Sequence, residues 1–148
     1  MTTALIDTHA HLDMPEFAAD LPAVLDRARE TGIVHIVSAS IDLASLRRNL
    51  EIVAANPGFI TTTAGVHPHD TAAVTPQEWE QIERLAADPR VVAVGETGLD
   101  YFRDRAPRDR QAELFVRHIA LARSLGKPLV IHSRDAAADT FAILERER

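Results

Sequence analysis

No cysteine occurs among the 148 residues. That excludes disulfides and thiolate metal sites, so any bound metal has to be held by imidazole and carboxylate, a donor set that suits zinc, manganese, magnesium, iron or nickel. Nor is there an apolar stretch near the roughly 18 residues that a membrane span requires, and the first residues lack the basic and apolar regions of a secretory signal. We therefore expect a cytoplasmic protein with no membrane partner. Basic residues are in the minority, 16 Lys and Arg against 22 Asp and Glu, for a net charge of -6. This argues against a broad basic face following a phosphate backbone, so any hold on nucleic acid must be local. A Gly-rich phosphate loop after the first apolar run, the mark of a dinucleotide-binding fold, is also missing.

What is present is a regular alternation. With 46% hydrophobic and 26% charged residues the composition is that of an ordinary folded domain. Short runs rich in β-branched or small apolar residues predict strands at Ala4 to Thr8, Ile33 to Ser40, Phe59 to Val66, Val91 to Gly95 and Leu129 to His132. Longer stretches between them predict helices at Asp20 to Thr31, Leu43 to Ala55, Pro76 to Ala87, Asp109 to Leu125 and from Ala136 onward. Gly32, Asn56-Pro57-Gly58, Asp88-Pro89 and Gly126-Lys127-Pro128 stop the first four helices, and Thr75-Pro76 reads as an N-cap followed by proline. Five successive βα units mean parallel strands with helical crossovers, an α/β fold that is either an open doubly wound sheet or a (β/α)8 barrel.

The chemistry gathers at the strand ends. The first strand runs into A-L-I-D-T-H-A-H-L-D (4 to 13), and residues two apart on an extended chain point the same way, so His9 and His11 can reach one ion. Most His-X-His pairs are ordinary surface or core histidines. The pattern gains force because later strands end in G-V-H-P-H-D (65 to 70), V-G-E-T-G-L-D-Y (94 to 101) and L-V-I-H-S-R-D (129 to 135). The C-terminal ends of parallel strands are where α/β proteins assemble their sites. Glu96 follows an apolar strand where an unpaired carboxylate is costly to bury, and a carboxylate there can bridge two cations; an ion-paired Glu is the plainer alternative. His132 is a ligand candidate or a core histidine bonded to backbone. His67 is read as a substrate contact, while His69 is as well explained by the loop. Arg134 suits a bidentate grip on phosphate or a helix-start ion pair with Asp135 or Asp139. Tyr101, Phe102 and Arg103 suit stacking on a base or packing as a rim. His35 and His118 read as structural, and Ser38 and Ser40 have no partner that suggests a nucleophile.

Taken together, I-D-T-H-A-H-L-D, G-V-H-P-H, V-G-E-T-G-L-D-Y and V-I-H-S-R-D-A, in this order and spacing, resemble the TatD family of metal-dependent deoxyribonucleases, within the amidohydrolase-like TIM-barrel metallohydrolases. The likeness runs from Leu5 to the last residue. It implies a TIM-barrel-type fold and two divalent ions (Mg, Mn or Zn), with His9 and His11 on one, Glu96 bridging, and His132 on the second. It also implies contact of His67 with a substrate phosphate and hydrolysis of DNA by an activated water. The family barrel has eight units and TIM barrels typically run to ~250 residues, whereas this sequence closes in its fifth helix. A further ligand histidine in a stretch like H-C-F-S-G and a catalytic aspartate in one like E-T-D-x-P have no counterpart, so no catalytic residue is assigned. The expectation is one metallohydrolase domain over residues 1–148, an incomplete barrel truncated after the fifth unit, whose open edges self-associate or take a complementing chain. Two other readings stand beside the nuclease: an amide, ester or lactone hydrolase of small molecules, and an inactive partial barrel. The first is disfavoured because the wider amidohydrolases often place a lysine where Glu96 stands.

Overall fold

Side chains write several of the helix boundaries in the computed structural model, which describes residues 4–103 and 105–148. Thr75 accepts the N–H of Glu78 while the Glu78 carboxylate accepts the N–H and hydroxyl of Thr75. This reciprocal cap satisfies donors that the first turn leaves open. Asp42 does the same for the N–H of Ser45 at 2.7 Å. Gly126, at φ 63°, supplies the left-handed residue that ends the longest helix.

The elements follow one another as β1 (Leu5–Ala10), α1 (Leu21–Glu30), β2 (Ile33–Ser38), α2 (Leu43–Ala55), β3 (Ile60–Ala64), α3 (Pro76–Ala86), β4 (Val91–Asp100), α4 (Arg108–Leu125), β5 (Leu129–Arg134) and α5 (Ala137–Arg146). One parallel sheet holds the strands in sequential order, β1-β2-β3-β4-β5. The five predicted βα units are all present. Three apolar clusters join helices to sheet. The largest sets Leu46, Leu50, Trp79, Ile82 and Leu114 against Val91 and Val94; Leu25, Ile52 and Val53 cover Ile36 and Ile60; Phe115, Ile119 and Ile143 cover Leu99. Burying each such side chain contributes about 1.5–3 kcal/mol, which fixes the strands under the loops that carry polar groups.

The centre of the sheet and its edges differ. Nearly all of β4 is buried, whereas β1 is exposed along its length, with Ile6 at 59%. The strand β4 also outlasts its predicted end at Gly95, running on to Asp100. Glycine ordinarily weakens a strand, but here it admits the neighbour: a Cβ on Gly95 would meet the Val130 carbonyl oxygen, and one on Gly98 that of His132. Glu96 therefore sits within a strand rather than after one.

Candidate metal centre

A buried polar layer forms the floor of the site. Ser38 donates to Asn49 Oδ1 at 2.7 Å and accepts the N–H of Leu12, while Asn49 donates to Ser40 at 3.1 Å. The N–H of Glu96 donates to the Ser40 carbonyl, and that of His67 to the Ile41 carbonyl, at 3.0 and 2.8 Å. The serines hold backbone in place, and the strand ends carrying Glu96 and His67 are tied to the end of β2 by these bonds.

On this floor the chain brings His9, His11, Glu96, His67 and His132 together. Glu96 divides its two oxygens. Its Oε2 lies 3.2 Å from His9 Nε2 and 3.6 Å from His11 Nε2, and its Oε1 lies 3.1 Å from His132 Nδ1 and 4.0 Å from His67 Nε2. Two groups of three potential ligands result, His9–His11–Glu96 and His67–Glu96–His132, each with ligand atoms within 4.8 Å of one another. Imidazole and carboxylate are the donors that a cysteine-free site has to use, and their chemistry fits divalent cations. The orientation of His11 fits too: Nδ1 meets the Ala39 carbonyl at 3.0 Å, so that nitrogen carries the proton and Nε2 presents a lone pair towards Glu96.

His67 differs. Its Nδ1 accepts the N–H of His69 at 3.2 Å, so in the neutral ring Nε2 carries the hydrogen. It points that donor at His132 Nδ1, 3.2 Å away. A fixed N–H suits contact with a substrate oxygen better than ligation. The histidines of β3 and β5 also meet Asp100, which the sequence reading passed over: its Oδ2 lies 2.8 Å from His69 Nε2 and 3.0 Å from His132 Nε2. His69 is thereby drawn into the site rather than left as a loop histidine.

The electrostatics follow from this clustering. Burial works against ionising Glu96, yet the hydrogen bond with His132 and the imidazoles of His67 and His9 hold its carboxyl down at about 2. Burial likewise opposes Asp100, but the Arg103 N–H and its two imidazole partners keep it well below the usual carboxylate range. The His67 imidazole is pushed down to about 4, first by burial and then by its neighbour His132. His132 goes up, because its protonated ring donates to Glu96 and to Asp100 from its two nitrogens, which outweighs burial. Glu96 is thus held ionised among the imidazoles while His67 is held neutral.

Arg134 and Tyr101 stand outside this cluster. The Arg134 guanidinium stacks on the exposed ring of Phe102 at 3.9 Å. The Tyr101 hydroxyl donates to Asp139 at 2.7 Å while Arg108 covers the ring at 4.0 Å. Burial, then Asp139, pushes the phenol up to about 12. Phe102, 55% exposed with Arg134 over one face, is the more open aromatic of the two at this rim. A cleft of about 420 Å³ opens over the centre, lined by His11, His67, His69, Glu96 and His132 and by Arg105, a cation the sequence did not single out. The two remaining histidines are structural as expected. His118 is fully buried, taking the N–H of Val66 on Nε2 and donating from Nδ1 to the Leu114 carbonyl; His35 bonds Thr61 at 2.9 Å.

Known proteins share this sequence and this fold. The family model for TatD-related DNases matches residues 6–148. YabD of Bacillus subtilis, named an uncharacterized metal-dependent hydrolase, is 39% identical over 143 residues, covering 97% of this chain and 56% of YabD. The TatD protein of Edwardsiella piscicida, named a 3'-5' ssDNA/RNA exonuclease, is 36% identical over 140 residues, covering 95% of this chain and 54% of its own length. Among solved structures, the TatD homolog YjjV of Escherichia coli superposes with a TM-score of 0.89 at 32% identity, over 99% of this chain and 57% of YjjV. A TatD-family hydrolase of Entamoeba histolytica gives 0.91 at 25% identity, over 99% of this chain and 55% of that one. The chain therefore spans about half the length of the relatives it matches, and its five strands form a TatD-type half-barrel, incomplete as expected. No helix among the described residues is long and apolar enough to cross a membrane. With a shared Glu96 between histidine pairs at the strand ends and a family match over nearly its whole length, the chain belongs to the TatD-related DNases, a family of metal-dependent hydrolases.

Proposed function

We propose that this chain supplies the ligand face of a two-metal phosphodiesterase centre that hydrolyses DNA. The observation that carries the reading is the division of Glu96, with one oxygen towards His9 and His11 and the other towards His132. His9 and His11 would hold one divalent ion (Mg, Mn or Zn) and His132 a second, with Glu96 offering one oxygen to each side; bound there, the ions would supply charge to polarise a phosphoryl oxygen and lower the pKa of an attacking water. His67 donates its Nε2–H to a non-bridging phosphate oxygen. At the rim, the side of Phe102 away from Arg134 meets a base and the Arg134 guanidinium a phosphate of the same strand, which suits unpaired DNA. The exonuclease name of the Edwardsiella relative supports a single-stranded substrate. A local metal centre also reconciles phosphate binding with a net charge of -6.

The test is a substrate panel of end-labelled single-stranded DNA, duplex DNA, RNA and small amides and esters, each with Mg, Mn or Zn and with a chelator. Phosphodiester cleavage that needs metal and disappears in Glu96→Gln is the expected outcome. Hydrolysis of the amides or esters with nucleic acid untouched would overturn it in favour of a small-molecule hydrolase.

A further inference from the structure

Asp100 is wholly buried, and each of its carboxylate oxygens has a separate task. Oδ1 accepts the N–H groups of Phe102 and Arg103 at 3.0 and 2.8 Å. Oδ2 faces His69 Nε2 at 2.8 Å and His132 Nε2 at 3.0 Å. Gln111 clamps the backbone on either side, taking the Asp100 N–H at 2.8 Å and donating to its carbonyl at 3.3 Å. An ionised carboxylate can only accept, so both imidazoles must present N–H at Nε2. A neutral imidazole has one N–H, and because the Nε2–H of His67 points at His132 Nδ1 from 3.2 Å, that proton stands on Nε2 and leaves Nδ1 bare, 3.1 Å from Glu96 Oε1.

We propose that Asp100 is the positioning residue for His132: it fixes the ring proton on Nε2 and so keeps the Nδ1 lone pair turned towards Glu96, while its other oxygen sets the loop that carries Phe102. The inference rests on the metal-centre reading given above. It makes Asp100 the orienting carboxylate behind a ligand imidazole, whose loss costs about 10–100-fold in metal affinity.

The fork makes the amide variant unusually decisive. In Asp100→Asn the amide oxygen must stay on the loop side, because two backbone N–H groups point at that position. The NH2 group is thereby forced towards His69 and His132, and it can only donate. Each ring must then accept at Nε2 and carry its proton on Nδ1, which removes the lone pair from the side of Glu96. A nearly isosteric change thus reverses a tautomer without removing a ligand.

The experiment reads the tautomer directly, by nitrogen-15 NMR of the histidine rings in the metal-free chain at about pH 9, above the ordinary imidazole range, with His132→Gln used to assign the His132 signals. The wild type is expected to carry the His132 proton on Nε2, and Asp100→Asn on Nδ1. Titration with Mn is expected to show a loss of about 10–100-fold in Asp100→Asn for the ion on the His132 side, with the His9–His11 side little changed. A wild-type proton on Nδ1, or an unchanged tautomer in folded Asp100→Asn, overturns the proposal. If that variant does not fold, His69→Leu decides beside the wild type: it leaves the Asp100–His132 pair intact and is expected to retain the Nε2 proton, and a switch to Nδ1 would count against Asp100. Absence of Mn binding by the wild type would sink the metal-centre reading, while the tautomer result would still judge Asp100.

Discussion

The two halves of the candidate centre are built differently. His9 and His11 stand on β1 and just after it, at the edge of the sheet, with 41% and 30% of their side chains exposed. His67 and His132 are 11% and 22% exposed, and the Asp100 carboxylate behind His132 is fully covered. The inner half is cross-tied by His69, Asp100, Gln111 and the Val66–His118 bond, whereas in the outer half backbone bonds hold the strand end and the two imidazoles lean on Glu96 and the Ala39 carbonyl. The inner ligands are therefore set by the protein before any ion arrives. Those on β1 share their one strong anchor with the inner half, so Glu96 is the member on which both depend.

That contrast can be broken at its hinge. Glu96→Ala is expected to abolish tight binding at both halves, by more than the ~100-fold that loss of an outer-sphere partner costs, as measured by Mn titration. If one half kept its affinity, Glu96 would not be shared.

Acid probes the inner half. Burial pushes the His118 imidazole from its ordinary 6.5 down to about 4, so as pH falls through this window the unfolded chain takes up a proton that the native state refuses. Stability is full above pH 6.5 and drains as pH falls towards 4, by up to about 3 kcal/mol for this group. The low value for His67 acts in the same direction. The raised His132 acts oppositely, adding stability that is present below its unfolded value and lost as pH rises through its folded one. Urea unfolding of the chelated chain at pH 7 and pH 5 checks the sum, and in His118→Gln the acid loss is expected to shrink.

Single ligands sharpen the division further. His9→Ala is expected to weaken only the first ion and His132→Ala only the second, each by about 10–100-fold, and equal losses at both halves would argue for one site. The smallest effect belongs to Thr75→Ala, far from the centre. Removing this cap is expected to cost about 1 kcal/mol in thermal or urea unfolding and to leave metal affinity unchanged at both halves.

Much of this was legible in the chain. The alternation of short β-branched runs with helical stretches yields the five units, and His9, His11, Glu96 and His132 stand out because each arrives at an equivalent strand end. Asp100 was missed because Gly95 and Gly98 look like the end of β4, although Glu96, Gly98 and Asp100 share one face at a period of two if the strand runs on. What hides this is that the glycines admit the β5 backbone, a non-local cause that no local propensity reveals. For the same reason Tyr101 and Phe102 were interchangeable in sequence; only the fold turns one towards Asp139 and leaves the other beneath Arg134.

The central claim, one carboxylate serving two cations, is tested most directly by anomalous diffraction from crystals of the chain soaked in Mn. Two peaks are expected, one between Glu96 Oε2 and the His9–His11 pair and one between Glu96 Oε1 and His132. A single peak on one side of Glu96, or peaks away from it altogether, would contradict the shared centre.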